Sequence, residues 1–211
     1  MDSLLTQENI TKTKETLKKR KKLYPREWLE RSLAYNPYQP REIQNQIKKT
    51  LHFTPKNLYY LALSDDFLNH ATNLSPNASA FVLEDLEQLT FTRRYVSNPL
   101  LFRGLIFEEY QILEALVFGA DGIFLYPCLL DLKELKHLSN FAYKLGLEII
   151  FSLQNPKDLT QAILSKADIL EIFDPKLISL IPHDKILLSP CLNPIPEGID
   201  CLILNPNALS S

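Results

Sequence analysis

A chain of 211 residues, 45% hydrophobic and 23% charged, has the composition of a globular protein able to bury one substantial core. Its formal net charge of -2 gives no global electrostatic basis for binding nucleic acid. No apolar run approaches the roughly 20 residues of a membrane span, and the polar start Met1-Asp2-Ser3 lacks a secretory signal, so a cytoplasmic protein is expected.

The first 57 residues read as helical. Residues 9–23 form a charged, glycine-free helical pattern, and two further helices are expected over 25–35 and 41–49, separated by Asn36-Pro37-Tyr38-Gln39-Pro40. The basic run Lys18-Lys19-Arg20-Lys21-Lys22 has no interleaved aromatic platform, which makes it a solvated helix face and not a nucleic-acid site.

From Leu58 onward, short runs rich in Leu, Ile and Phe recur at nearly even spacing. Strands are expected to start near Leu58, Ser79, Leu100, Gly122, Glu148, Asp168, Lys185 and Cys201. The clearest intervening helices cover 107–118, 131–145 and 156–165. Asp131 and Pro156 stand where an N-cap or first-turn residue belongs, and Gly119 and Gly146 follow as stops. Strands alternating with helices imply right-handed crossovers and a parallel sheet, so the expected fold is an α/β, TIM-like (β/α)8 barrel over 58–211, preceded by a helical extension over 1–57.

The barrel is trimmed at its end. Between Cys191 and Asp200 there is no room for a full seventh helix, and the chain stops just after the eighth strand, so an incomplete final turn, or closure by a second subunit, is anticipated. Glycine occurs only 5 times, against an average usage of about 7%, which leaves few places where backbone can approach a phosphate closely. Cys128, Cys191 and Cys201 are odd in number and lack metal-ligand spacing; buried thiols are expected, with no disulfide, metal or cofactor. His52, His70, His137 and His183 fall in helices or surface connections and suggest no catalytic triad.

Residues 99–126 contain Tyr110-Gln111-Ile112, Glu114-Ala115 and Gly119-Ala120-Asp121. These words resemble the third strand, third helix and fourth strand of indole-3-glycerol phosphate synthase, a lyase of tryptophan biosynthesis, where the family reads P-x-L-R-K-D-F-I, Y-Q-I-x-E-A and G-A-D-A-I-L-L-I. The similarity is strongest over 99–151, and a helical N-terminal extension is a further point of likeness. The resemblance implies ring closure of an anilino-deoxyribulose phosphate with loss of carbon dioxide and water. That reaction needs a cationic acid, a carboxylate to relay a proton, and a cradle for the phosphate.

Set against the family pattern, the chemical positions differ. At strand three Arg103-Gly104 stands for lysine-aspartate; arginine keeps the charge but is a poor proton donor at neutral pH. At strand one A-E-I-K aligns with Ala62-Leu63-Ser64-Asp65. At strand five the glutamate that relays the proton aligns with Ser152 and a histidine with Gln154, while Glu148 remains at the strand's start, where conservation of charge serves stability. At strand six I-N-N-R-D-L becomes Ile172-Phe173-Asp174-Pro175-Lys176-Leu177, at strand seven S-E-S-G-I becomes Ser189-Pro190-Cys191-Leu192-Asn193, and at strand eight the phosphate-binding I-G-x-x-L falls on Leu204–Leu209, with Pro206 lacking an N–H.

The sequence therefore offers Arg103, Ser152, Asp65 and Asp174 as candidate catalytic groups, and Arg103, Ser189 and Asn205 as candidate ligand-binding groups. Asp65 and Asp174 have an alternative role as helix caps, and Arg103 could pair with a carboxylate such as Asp65. The leading expectation is a degenerate, non-catalytic synthase-like barrel that binds an anionic small molecule weakly or supports a protein partner or a second copy of itself. The alternatives are an active indole-3-glycerol phosphate synthase or an enzyme of altered chemistry on the same scaffold.

Overall fold

Each short apolar run becomes a parallel strand in the computed structural model, which describes residues 4–36, 38–48, 54–190 and 194–205. The strands are β1 (Lys56–Tyr60), β2 (Ala80–Leu83), β3 (Leu100–Phe102), β4 (Gly122–Leu125), β5 (Glu148–Leu153), β6 (Ile169–Ile172), β7 (Ile186–Pro190) and β8 (Cys201–Leu204), each within two residues of its expected start. They form one closed barrel in sequence order. β8 pairs with β7 and also with β1, through Lys56↔Cys201 to Tyr59↔Leu204, so the anticipated open final turn is not found: the strand register closes the barrel within one chain.

Helices α1 (Gln7–Leu23), α2 (Arg26–Ala34) and α3 (Gln44–Ile47) precede the barrel, and α4 (Phe67–Leu74), α5 (Leu86–Tyr95), α6 (Glu109–Val117), α7 (Leu132–Lys144) and α8 (Pro156–Leu164) follow β1 to β5. α3 is only one turn where a longer helix is expected, and residue 49 lies outside the described residues. After β6 there is a 3-10 helix, Pro175–Leu180, and among the described residues between β7 and β8 there is no helix. The expected boundary signals act as read: Asp131 and Glu134 form a reciprocal capping box on α7, Asn155 caps α8 with Pro156 in its first turn, and Gly119 and Gly146 take positive φ values of 103° and 78° just after their helices.

Alternation along the strands sorts the core into two shells. Leu58, Ala80, Val82, Leu101, Phe124, Ile150, Ile169, Ile186, Leu188, Cys201 and Ile203 fill the barrel interior. Phe81, Leu83, Leu100, Ile123, Ile149, Phe151, Leu170, Leu187 and Leu202 face the helices. At the N-terminal end of the strands Ile43 and Ile47 plug the interior. Gly122 makes that plug possible: a Cβ there would lie 2.8 Å from Ile43 Cδ1 and 3.0 Å from the Glu148 carbonyl.

The family-like words turn out to be docking devices. Asp121, fully buried, accepts from the Arg41 amide at 2.6 Å, from the Leu100 amide at 2.8 Å and from Arg93. Arg93 in turn donates to the Gly119 carbonyl at 3.1 Å and the Gln39 carbonyl at 2.6 Å, tying the N-terminal segment to the barrel floor. Gln111 accepts from the Phe107 amide at 2.8 Å and donates to the Leu105 carbonyl at 2.7 Å, bracing the loop after β3. Tyr110 donates to the Tyr24 carbonyl at 2.8 Å, and Glu114 accepts from Arg20 Nε at 2.6 Å, which anchors α1 and α2 to α6.

Two thiols can be placed. Cys201 is buried, and burial raises its pKa, whereas Cys128 is exposed, contrary to expectation, because it sits in the short turn after β4 outside both shells. Cys191 lies outside the described residues. Among the described residues no helix is long and apolar enough to cross a membrane.

Candidate functional site

The C-terminal ends of the strands form the mouth where such barrels carry chemistry. Arg103 follows β3 and, by alternation after Leu101, points inward. Its guanidinium stands over the Phe124 ring, 4.7 Å from the centroid, and only 8% of the residue is exposed. Its partner is Glu171. Nη2 donates to both carboxylate oxygens, at 2.8 and 2.9 Å, and Glu171 has no exposed surface.

Asp65 is thus not the partner of Arg103. It lies exposed in the loop after β1, where a carboxylate stays hydrated, while Glu171 is one strand face away from water and needs a cation. The candidate that the sequence offers at this strand, Asp174, lies after β6, whereas the carboxylate of the site, Glu171, lies within it. The signal was present: a lone carboxylate in the apolar run Ile169-Leu170-Glu171-Ile172, two residues from the inward Ile169, has to point into the barrel.

Ser152 does reach the site. It is fully buried, stands opposite Glu171 in the β5–β6 register, and accepts from Gln154 Nε2 at 3.4 Å. The other candidates do not converge. Asp174 caps the 3-10 helix, accepting from the Lys176 amide at 3.0 Å. Ser189 shares the outward face with Leu187 and donates to the Ile172 carbonyl at 3.1 Å; between the inward Leu188 and Pro190 it cannot face the cleft. Asn205 is exposed at the rim after β8. Leu63 is exposed, and Leu192 and Pro206 lie outside the described residues.

The mouth is roofed. Leu4, Leu5 and Ile10 pack on the interior residues beside Tyr60, at the end of β1, and Phe107, in the loop after β3. Lys14 of α1 lies 5.1 Å from the Phe107 centroid. Beneath α1 a cavity of about 240 Å³ extends between Arg20, Glu84, Gly104 and Gln111. No group of three His, Cys, Asp or Glu side chains among the described residues could hold a metal ion.

An inward cation and a carboxylate at the end of a parallel barrel set a frame in which known proteins can be compared. Solved structures of orotidine 5'-monophosphate decarboxylase from Metallosphaera sedula (11% identity, TM-score 0.57) and of KGPDC from Streptococcus mutans (12%, 0.59) each cover 75% of this chain and 91% of their own, a likeness of fold. The family model described as indole-3-glycerol phosphate synthase matches residues 79–180. Curated relatives of that name include proteins from Campylobacter concisus, 35% identical over 88% of this chain and 83% of the relative, and from Campylobacter jejuni subsp. jejuni serotype O:23/36, 37% identical over 84% and 81%. A more distant one from Sulfurimonas denitrificans is 32% identical over 88% of this chain and 83% of its own. The family model spans the retained docking words and strands β2 to β6, and on the identity and coverage shared with these relatives the chain belongs to the indole-3-glycerol phosphate synthase family.

Proposed function

We propose that the chain catalyses the reaction for which its relatives are named, closure of an anilino-deoxyribulose phosphate to indole-3-glycerol phosphate with loss of carbon dioxide and water, and does so slowly. The observation that carries this reading is the meeting of Arg103 and Glu171 at the mouth of the barrel. A fixed cation at the end of β3 can stabilise the negative charge that develops as the carbonyl is attacked, and a carboxylate beside it can move a proton during dehydration. The extent of similarity to curated synthases supports the same assignment.

The low rate follows from the substitutions. Arg103 cannot donate a proton at neutral pH as a lysine can, which forfeits much of the roughly 10²- to 10⁴-fold that general acid catalysis contributes. Pro190 offers no N–H to a phosphate at the end of β7, so the substrate is held loosely.

One observation favours a second reading, in which the cleft binds without turnover: both oxygens of Glu171 are already engaged by Arg103, so the two charges neutralise each other until a ligand parts them. Complementation separates the readings. A strain lacking the synthase should grow without tryptophan when it expresses this chain; absence of growth with soluble protein present would favour the binding reading.

A further inference from the structure

Glu171 holds Arg103 in the way a ligand carboxylate would. Its two oxygens lie 2.8 and 2.9 Å from Nη2, the guanidinium is stacked on Phe124, and Ser152 stands beside the carboxylate in register. Leu101, Phe124, Ile150 and Leu188 belong to the apolar interior around the pair, Leu188 standing opposite Glu171 in the β6–β7 register. A charge-assisted contact in such a place is strong and discriminating for a carboxylate's shape and charge.

We infer that Glu171 is a built-in competitor, an internal carboxylate occupying a carboxylate-binding site on Arg103 that an external small carboxylate enters only by displacing it. This rests on placing the ligand at the barrel mouth, as in the proposed function, but not on any turnover there. The site is defined by Arg103, with Phe124 beneath the guanidinium and Ser152 beside it. Its ligand class is a small carboxylate, either free or as one group of a larger substrate.

The competition has a direct consequence. In the wild-type chain an added carboxylate contends with a tethered one, whose effective concentration is in the millimolar range or higher, so binding is weak. Removing the tethered group leaves a cation with a hole of carboxylate size beside it. Formate should fill that hole.

The experiment is a formate titration of the full chain, followed by melting temperature and by the line width of ¹³C-formate, with chloride at matched ionic strength as control. Glu171→Ala should bind formate at least tenfold more tightly than wild type and should be stabilised by it, whereas Arg103→Met/Glu171→Ala should not respond. Should Glu171→Ala fold only when formate is present, that also supports the inference. Glu171→Gln retains the shape but not the charge and should gain affinity in the same direction, by a smaller factor, and it decides the matter where the alanine variant does not fold in either salt. Equal formate affinity in wild type, Glu171→Gln and Glu171→Ala, or an unchanged response without Arg103, would overturn it. Because formate binding is read without substrate, a negative result here leaves the synthase assignment standing, and a chain without synthase activity can still give a positive one.

Discussion

Replacing Asp121 by alanine tests whether the family-like words are retained for structure. The carboxylate is fully buried and serves the amides of Arg41 and Leu100 and the guanidinium of Arg93, whose side chain is 3% exposed. Alanine leaves that guanidinium buried against the Gly119 and Gln39 carbonyls with no countercharge. Removing one partner of a buried ion pair costs about 3–5 kcal/mol, out of a total stability of roughly 5–15 kcal/mol. For a chain of this size each kcal/mol lowers the melting temperature by about 2–4 °C, which gives a fall of about 6–20 °C. The assay is thermal or urea unfolding followed by circular dichroism, and Arg93→Met/Asp121→Leu, which removes both charges, should recover part of the loss. A fall below about 2 °C would show that the network is solvated in practice and that the docking role assigned to Asp121 is wrong.

Three further outcomes follow from the same geometry. Gly122→Ala should destabilise by about 1–3 kcal/mol in urea titration, since its Cβ would meet the Glu148 carbonyl and Leu101 at 3.0 Å as well as the Ile43 plug; an unchanged midpoint would mean that the floor has room to yield. Burial raises the pKa of Glu114, and the hydrogen bond from Arg20 only partly opposes it. A carboxyl whose folded pKa is raised contributes stability that is fully present below its unfolded pKa and lost as pH rises through the folded one. The stability of wild type relative to Glu114→Gln should therefore decline as pH rises above about 4.5, measured by urea unfolding at a series of pH values, and a difference that grows over that range would contradict the sign. Arg103→Lys should raise kcat, toward the roughly 10²- to 10⁴-fold that general acid catalysis supplies; a lower kcat in stopped assays would mean that the planar guanidinium itself is needed.

The barrel could be read from the sequence because its signals are local. A four- to six-residue apolar run between capped helices has few alternatives to a parallel strand, and Asp131, Pro156, Gly119 and Gly146 mark where helices begin and end. Closure was less legible, since the β8–β1 register depends on backbone bonds between Lys56–Tyr59 and Cys201–Leu204, which no local pattern encodes. The site was read in part. Arg103 and Ser152 lie where alternation puts them, but Ser189 differs by one residue from the inward Leu188, and in a strand one residue reverses the face. The inward direction of Glu171 was legible from alternation after Ile169, but its partner was not, since Arg103 lies 68 positions away in sequence and only the closed barrel brings the two together.

The most direct test of the functional account is product formation by the purified chain on the anilino-deoxyribulose phosphate, beside Arg103→Met/Glu171→Leu, a variant that removes both charges of the pair together and leaves neither buried alone. The account expects slow formation of indole-3-glycerol phosphate by the wild-type chain and none by the double variant, both being folded by circular dichroism. No product from the wild type at any substrate concentration, or equal rates from the two proteins, would contradict it.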